Sequence, residues 1–299
     1  MNSNDFAEYR PLMFSIAYRM TGSVGDAEDI VQEAFLRAAA DRGDTRAPKA
    51  YLATITTRLA IDHLRSARVR RETYRGTWLP EPLIQDGNDP AEQAELSDSL
   101  SMAFLTLLET LTPAERAVFL LREVFSYDYK AVADATGKSE AACRQLLARA
   151  RQAIARRKSR FSTSRADAEE LTGIFLDVSK GGDMGSLLER LAPDVVFYGD
   201  SGGNGEVTFA EPVYGRDNVA AILVFQIERA RRLDAHLEPA TINGMPGLLA
   251  YATDGLIAAM TFELLDGQVQ ALRVVANPDK LRHIATVSTS WHLRVEDDD

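Results

Sequence analysis

Apolar residues recur at helical spacing through the first half of the chain. From Val24 to Ala40, Ala27, Ile30, Val31, Ala34 and Ala38 fall on one face, while Asp29, Gln32, Glu33 and Leu36 fall on the other. The same period predicts a helix from Asp5, as cap, to about Met20, broken by Thr21-Gly22-Ser23. A further helix runs from Lys49 into the arginines after a loop at 41–48. Residues 1–75 thus read as a small helical domain. Trp78-Leu79-Pro80-Glu81-Pro82 and Asp86-Gly87-Asn88-Asp89-Pro90 cannot sit inside a helix, so 76–95 reads as a linker, with helical character returning from about residue 91. Thr112-Pro113 opens a helix over 114–124; a short helix at 127–135, a turn at Thr136-Gly137-Lys138 and a helix from Ser139 to about Arg157 complete a helix-turn-helix domain over 96–161.

Beyond Phe161 the period changes. Helices are predicted at 166–180, 184–191 and 216–232. Short strand-like runs stand at 195–198 and 207–209, and four β-rich segments follow at 234–243, 248–254, 256–265 and 268–276, the last two joined by Asp266-Gly267 as a hairpin turn. Residues 166–299 therefore form an α+β domain with a curved antiparallel sheet, and the whole chain is multidomain, two all-α domains followed by an α+β one.

The 299 residues are 45% hydrophobic, enough for more than one core, and no apolar run reaches the roughly 18 residues of a spanning helix. The N-terminus carries no basic-then-apolar signal, so the chain is expected to stay where it is made. Cys143 is alone, which fits a reducing cytoplasm and removes any thiolate metal cluster. His63, His236, His283 and His292 show no metal-ligand spacing, so neither metal nor cofactor is expected.

Net charge would argue against nucleic acid if the −10 were uniform. Residues 1–161 hold 23 basic against 22 acidic side chains, however, and residues 162–299 hold 11 against 22. Positive charge concentrates at Arg65, Arg68, Arg70, Arg71 and Arg75, and at 144–160, where seven basic residues meet no acidic one. Such clusters suit phosphate contacts. In the helix from Ser139, Cys143, Leu147, Ala150 and Ile154 form the buried stripe; Gln145, Arg149 and Arg156 face away from it, and Arg144 and Arg151 flank it. That is the layout of a recognition helix, in which early residues reach bases and later ones phosphate. The acidic face at Asp29, Gln32 and Glu33 suits a basic protein partner instead.

At Asp26-Ala27-Glu28-Asp29-Ile30-Val31-Gln32-Glu33 the chain resembles the polymerase-binding helix of bacterial sigma factors. The resemblance implies docking on a coiled coil, the clamp, of the largest subunit of core RNA polymerase. Ala60-Ile61-Asp62-His63-Leu64-Arg65 resembles the promoter-melting and −10 segment of the extracytoplasmic-function class, and Leu111-Thr112-Pro113-Ala114-Glu115-Arg116 through Arg149-Ala150-Arg151 its −35 reading domain. The first domain is then region 2 and the second region 4. Promoter DNA contacts are expected from Arg65, Arg68, Arg70, Arg71, Arg144, Gln145, Arg149 and Arg156. Tyr51 and Tyr74 could stack on unpaired bases or simply pack.

Trp78 to Pro82 and Asn277-Pro278-Asp279-Lys280-Leu281 are similar to two motifs of a sigma-J-like subgroup with a fused SnoaL-like domain. The resemblance implies a cone-shaped regulatory domain acting in cis, with Trp78, Pro80, Pro82 and Asn277, Pro278, Asp279, Lys280 and Leu281 as regulatory residues and room for a small-molecule ligand. It could act through its acidic surface, competing with promoter phosphate, or through Trp78 and the linker. The subgroup's glycine loop is present only in part, as Asp200-Ser201-Gly202-Gly203-Asn204-Gly205 without its lysine, and reads as a turn between strands. The reading is a non-enzymatic sigma factor. Its rivals are a ligand sensor on a helix-turn-helix that never joins polymerase, and a SnoaL-like enzyme with His236 and Asp254 as acid and base, tethered to DNA.

Overall fold

The structure, a computed structural model, describes residues 3–40, 47–72, 74, 76–84, 99–157, 163–203, 211–232 and 234–288. The chain divides into two compact units, Met1–Thr73 with Phe104–Lys158, and Tyr74–Ala103 with Ser159–Asp299. The segment read as a linker therefore groups with the C-terminal residues, and the two helical segments on either side of it share one unit.

In the first unit, α1 (Ser3–Thr21), α2 (Val24–Ala40) and α3 (Pro48–Glu72) pack around Met13, Val31, Ala34, Ala38 and Leu52. The predicted stripe of α2 is its buried face, residue for residue. Helix α1 is already under way at Ser3, so Asp5 is not its cap; it ends where Gly22 takes φ 68, a left-handed value that costs a glycine little. Ser23 Oγ then accepts from the Asp26 amide at 3.1 Å and starts α2.

After α4 (Met102–Leu108), Thr112 and Glu115 make a reciprocal capping box for α5 (Pro113–Phe119), and the predicted continuation to Val124 is a π-helical turn, Leu120–Val124. Asp128 caps α6 (Tyr129–Thr136), so the helix starts two residues later than the apolar pattern predicts. Gly137 at φ 66 ends it, and Ser139 Oγ accepts from the Ala142 amide at 3.2 Å to begin α7 (Glu140–Arg157).

The second unit contains α8 (Arg165–Ser179), α9 (Met184–Glu189), β1 (Leu191–Asp200), β2 (Val213–Tyr214), α10 (Arg216–Arg232), β3 (His236–Ile242), β4 (Met245–Ala252), β5 (Gly255–Leu265), β6 (Gln268–Val275) and α11 (Pro278–Leu281). The strand order is β2-β1-β6-β5-β4-β3, antiparallel except that β1 runs parallel to β6. The predicted run 207–209 lies outside the described residues. Register shifts at Leu191/Val196, Ala250/Tyr251 and Glu263/Leu264 bend the strands, which is how such a sheet curves. Asp266 and Gly267, at φ 50 and 74, make the expected hairpin turn.

Successive residues Leu248 and Leu249 go to different clusters, because side chains alternate across a strand. One face packs with Phe175, Leu223, Phe262 and Leu272 under α8 and α10. On the other, Leu249, Ala259 and Val275 pack with Leu79, Met102 and Leu281. The linker thus completes a core of the C-terminal domain.

Candidate nucleic-acid interface and linker clasp

Along α7 the predicted faces are the observed ones. Cys143, Leu147, Ala150 and Ile154 are buried, and Arg144, Gln145, Arg149, Arg151 and Arg156 are exposed. Two of the arginines already have partners: Arg144 binds Glu140 at 2.8 Å and lies over the Tyr129 ring, and Arg151 binds Glu123 at 2.7 Å. Both pairs are exposed, so phosphate could replace the carboxylates at little cost. Arg65 is likewise exposed beside Asp62. Arg68, Arg70 and Arg71 belong to α3, but their side chains, and Arg75 altogether, lie outside the description. On α2, Asp29 and Gln32 are exposed, Glu33 pairs with Arg37 at 2.7 Å, and Leu36 adds an apolar side chain 55% exposed to the same acidic face.

Buried arginines tie the first unit together, and sequence reasoning passed over them. Arg116 is 3% exposed; it pairs with Glu109 at 2.6 Å and donates to the Met20 carbonyl at the end of α1. The more exposed Arg58 of α3 donates to the carbonyls of Asp134 at 2.6 Å and Ala135 at 3.3 Å, in the last turn of α6, where the helix dipole favours a cation. Arg19, also buried, lies over the Phe125 ring, and burial lowers its pKa to about 10.

The second unit holds a different kind of site. Asp200, at the end of β1 and 1% exposed, has its carboxylate saturated: Oδ1 accepts from the Tyr74 hydroxyl and the Gly202 amide at 3.1 Å, and Oδ2 from the Leu79 amide at 2.8 Å and Lys280 Nζ at 2.7 Å. Lys280, in α11, also donates to the Leu79 carbonyl, and its ammonium lies 4.2 Å from the Trp78 ring centroid and 5.1 Å from that of Tyr74. Asn277 caps α11 through Oδ1 and donates from Nδ2 to the Tyr74 oxygen at 2.9 Å. A Cβ on Gly202 would meet the Asn277 side chain at 2.7 Å, and the φ of 67 there also favours glycine. His283 Nε2 lies 2.8 Å from the Pro82 carbonyl oxygen, and Pro80, Pro82 and Leu281 are buried.

A buried ion pair repays its desolvation only when its remaining hydrogen bonds are satisfied, and here linker backbone and rings satisfy them. Burial, then the Asp200 charge, raises the Tyr74 pKa well above the ordinary phenol value.

Three sequence motifs converge in this clasp, the linker, the glycine loop and 277–281. Residues 204 and 205 of the loop lie outside the description. Tyr74 donates to Asp200 here, and Tyr51, half-buried, packs on the core of α1, α2 and α3. His236 lies 3.4 Å from Glu238 and stacks on Tyr251, and Asp254 accepts from Ser288.

Comparison with known proteins assigns these parts. Residues 6–70 match Sigma-70 region 2, and residues 101–154 match Sigma-70 region 4. Over 295 residues the chain is 39% identical to the ECF RNA polymerase sigma factor SigJ of Mycobacterium tuberculosis, covering 94% of this chain and 93% of that protein. The chain belongs to the extracytoplasmic-function RNA polymerase sigma factors. Probable ECF sigma factor SigI of the same species is 32% identical over 276 residues, 91% of this chain and 92% of that protein. The crystal structure of M. tuberculosis SigJ matches with a TM-score of 0.75 and 34% identity, covering 94% of this chain and 98% of that chain. The likeness extends past region 4 through the fused C-terminal domain.

The sigma factor thus carries its two family regions in one unit, while Tyr74, Trp78 and Leu79, which lie between those regions in sequence, are fastened into the other. As a family member it works in transcription initiation, with core RNA polymerase and promoter DNA as partners.

Proposed function

We propose that the C-terminal domain controls this sigma factor in cis by holding the linker between regions 2 and 4. The single observation that carries this is the Asp200–Lys280 clasp. It is closed on Tyr74, Trp78 and Leu79, so the length and direction of chain joining the two DNA-reading regions depend on residues some 120 to 200 positions away. The alternative route, competition of acidic side chains with promoter phosphate, needs only net charge and would not select these linker residues.

Within that reading, Asp29, Gln32 and Glu33 dock on the clamp coiled coil of the largest polymerase subunit. Arg65, Arg68, Arg70 and Arg71 meet the −10 region, where melting costs a few kcal/mol per unstacked step. Arg144, Gln145, Arg149 and Arg156 meet the −35 element, with Arg149 reading bases and Arg156 binding phosphate.

Three forms test control in cis by transcription in vitro with core polymerase: the full chain, a chain ending near Arg165, and a chain ending just before Asn277. The last lacks Lys280 and so opens the clasp while keeping the sheet. Both truncated forms are expected to differ from the full chain in promoter activity. Equal activity from all three would remove the proposal.

A further inference from the structure

Helix α6 owes its start to Asp128, whose Oδ1 accepts from the Ala131 amide at 2.8 Å, so that Tyr129 is the first helical residue. The half-buried Tyr129 ring carries two guanidinium groups. Arg122, from the π-helical turn, and Arg144, from α7, each place Cζ 4.6 Å from the ring centroid. Their remaining donors are used differently. Arg122 is half-buried and donates from Nη1 to the Tyr127 carbonyl, which ties the ring to the backbone just before it. Arg144 is exposed, and its Nη2 donates to Glu140 at 2.8 Å in an exposed i,i+4 pair.

We infer that Tyr129 is a positioning residue for promoter recognition: its ring holds the Arg144 guanidinium at the start of the recognition helix, ready for a bidentate contact with a guanine of the −35 element. The inference rests on the reading that Arg144 meets that element. Position along the helix favours a base over phosphate, because α7 begins at Glu140 and the N-terminal residues of a recognition helix are those that reach base edges.

A ring and a carboxylate hold an arginine in different ways. The carboxylate takes N–H donors, the same groups that would bond guanine O6 and N7, so Glu140 must give way when DNA binds. The ring attracts the charge through its π face and leaves the in-plane donors free. Tyr129 can therefore stay on Arg144 in the complex, whereas Glu140 cannot keep the same donors. A freely rotating arginine gives up rotamer freedom to make a bidentate bond; one already held against a ring gives up less. That difference counts where a base is read. Phosphate accepts a cation from many directions, so non-specific binding gains little from the ring.

The test is selection of DNA by the full-length protein with core polymerase, from a pool in which both promoter elements are randomised, with the retained DNA sequenced. Wild type is expected to select guanine at a −35 position, and Arg144→Ala to lose that preference. Tyr129→Leu keeps an apolar side chain and removes the π face. It is expected to lower the preference for that guanine about fivefold, the scale of one side chain's ordering, and Tyr129→Phe to restore it. The salt slope on random DNA should be the same for wild type and Tyr129→Leu, since no phosphate contact is lost. Tyr129→Gln serves if Tyr129→Leu does not fold, since glutamine is a good helix former and likewise has no ring.

A merely structural role for Tyr129 would weaken binding to all sequences alike, or leave Tyr129→Phe as impaired as Tyr129→Leu; either result overturns the inference. If Arg144→Ala loses no base preference, the reading of Arg144 as a −35 contact has failed, and the inference falls with it. If Arg144→Ala loses the guanine and Tyr129→Leu keeps it, that reading stands and the positioning role alone is overturned.

Discussion

The sigma factor uses charge in two opposite ways, and the contrast separates its two units. On α7, Gln145, Arg149 and Arg156 stand exposed on a helix whose other face makes the core. In the clasp, Asp200 and Lys280 are buried and paired with each other at 2.7 Å. Exposed charges can be exchanged for phosphate or a partner carboxylate without disturbing the fold, whereas buried ones cannot be removed without leaving an uncompensated partner. Changes in the first set should therefore alter function at constant stability, and changes in the second should alter both.

The largest expected effect is on polymerase binding. Asp29, Gln32 and Glu33 replaced together by Ala should weaken binding by about 4 kcal/mol or more, if they act as interface hot spots, with melting temperature unchanged. A pull-down or titration with core polymerase checks this, and a triple variant that binds normally would break the assignment of the acidic face. Next comes Lys280→Ala, expected to cost about 3 kcal/mol of stability by leaving the Asp200 carboxylate buried and unpaired. Urea unfolding measures it; a loss below about 1 kcal/mol, the surface-pair range, would show the clasp to be weak.

A smaller, sequence-dependent effect is expected at Arg149. Arg149→Ala should cost about 1 to 3 kcal/mol on the −35 element, while Arg156→Ala should weaken all DNA alike and lower the salt slope. Equal losses on specific and random DNA for both would show that the two positions have the same role. Arg58→Ala sharpens the comparison from within the helical unit, since this arginine, although exposed, is used for structure; losing its bonds to the end of α6 should cost about 1 kcal/mol of stability in thermal unfolding.

The smallest effect is on alkaline pH dependence. The Tyr74 phenol has its pKa raised in the folded protein, so its contribution is fully present below the ordinary phenol value of about 10 and is lost as pH rises beyond it. Tyr74→Phe should flatten that part of the stability profile. A profile identical to wild type would place the alkaline sensitivity elsewhere.

How much of this could be read in the sequence follows from the same contrast. Periodicity identified the buried stripes of α2 and α7 because each lies within one helix, where spacing alone fixes the face. Asp266-Gly267 was legible because a hairpin turn is local. The clasp was only half legible: its motifs at 78–82 and 277–281 stood out by resemblance, but nothing local shows that Asp200 joins them or that Tyr74 donates to it. Arg58 and Arg116 act on carbonyls 76 and 96 positions away, beyond any pattern of spacing. Asn243-Gly244 carries a hairpin signal that was passed over, and even when noticed it predicts a turn rather than a side chain reaching back to Leu83 and Leu100. The prolines of the linker exclude helix, which spacing shows, but they do not exclude packing, which it does not show: Leu79, Pro80 and Pro82 are buried.

Control through the linker is tested most directly by amide hydrogen exchange over residues 76–84, measured in full-length wild type and in Lys280→Ala beside transcription by the same samples. The Leu79 amide, bonded to Asp200, should exchange slowly in wild type and much faster in the variant, and promoter activity should change with it. Loss of protection with unchanged transcription would contradict linker control, and fast exchange at Leu79 in the wild type would contradict the clasp itself.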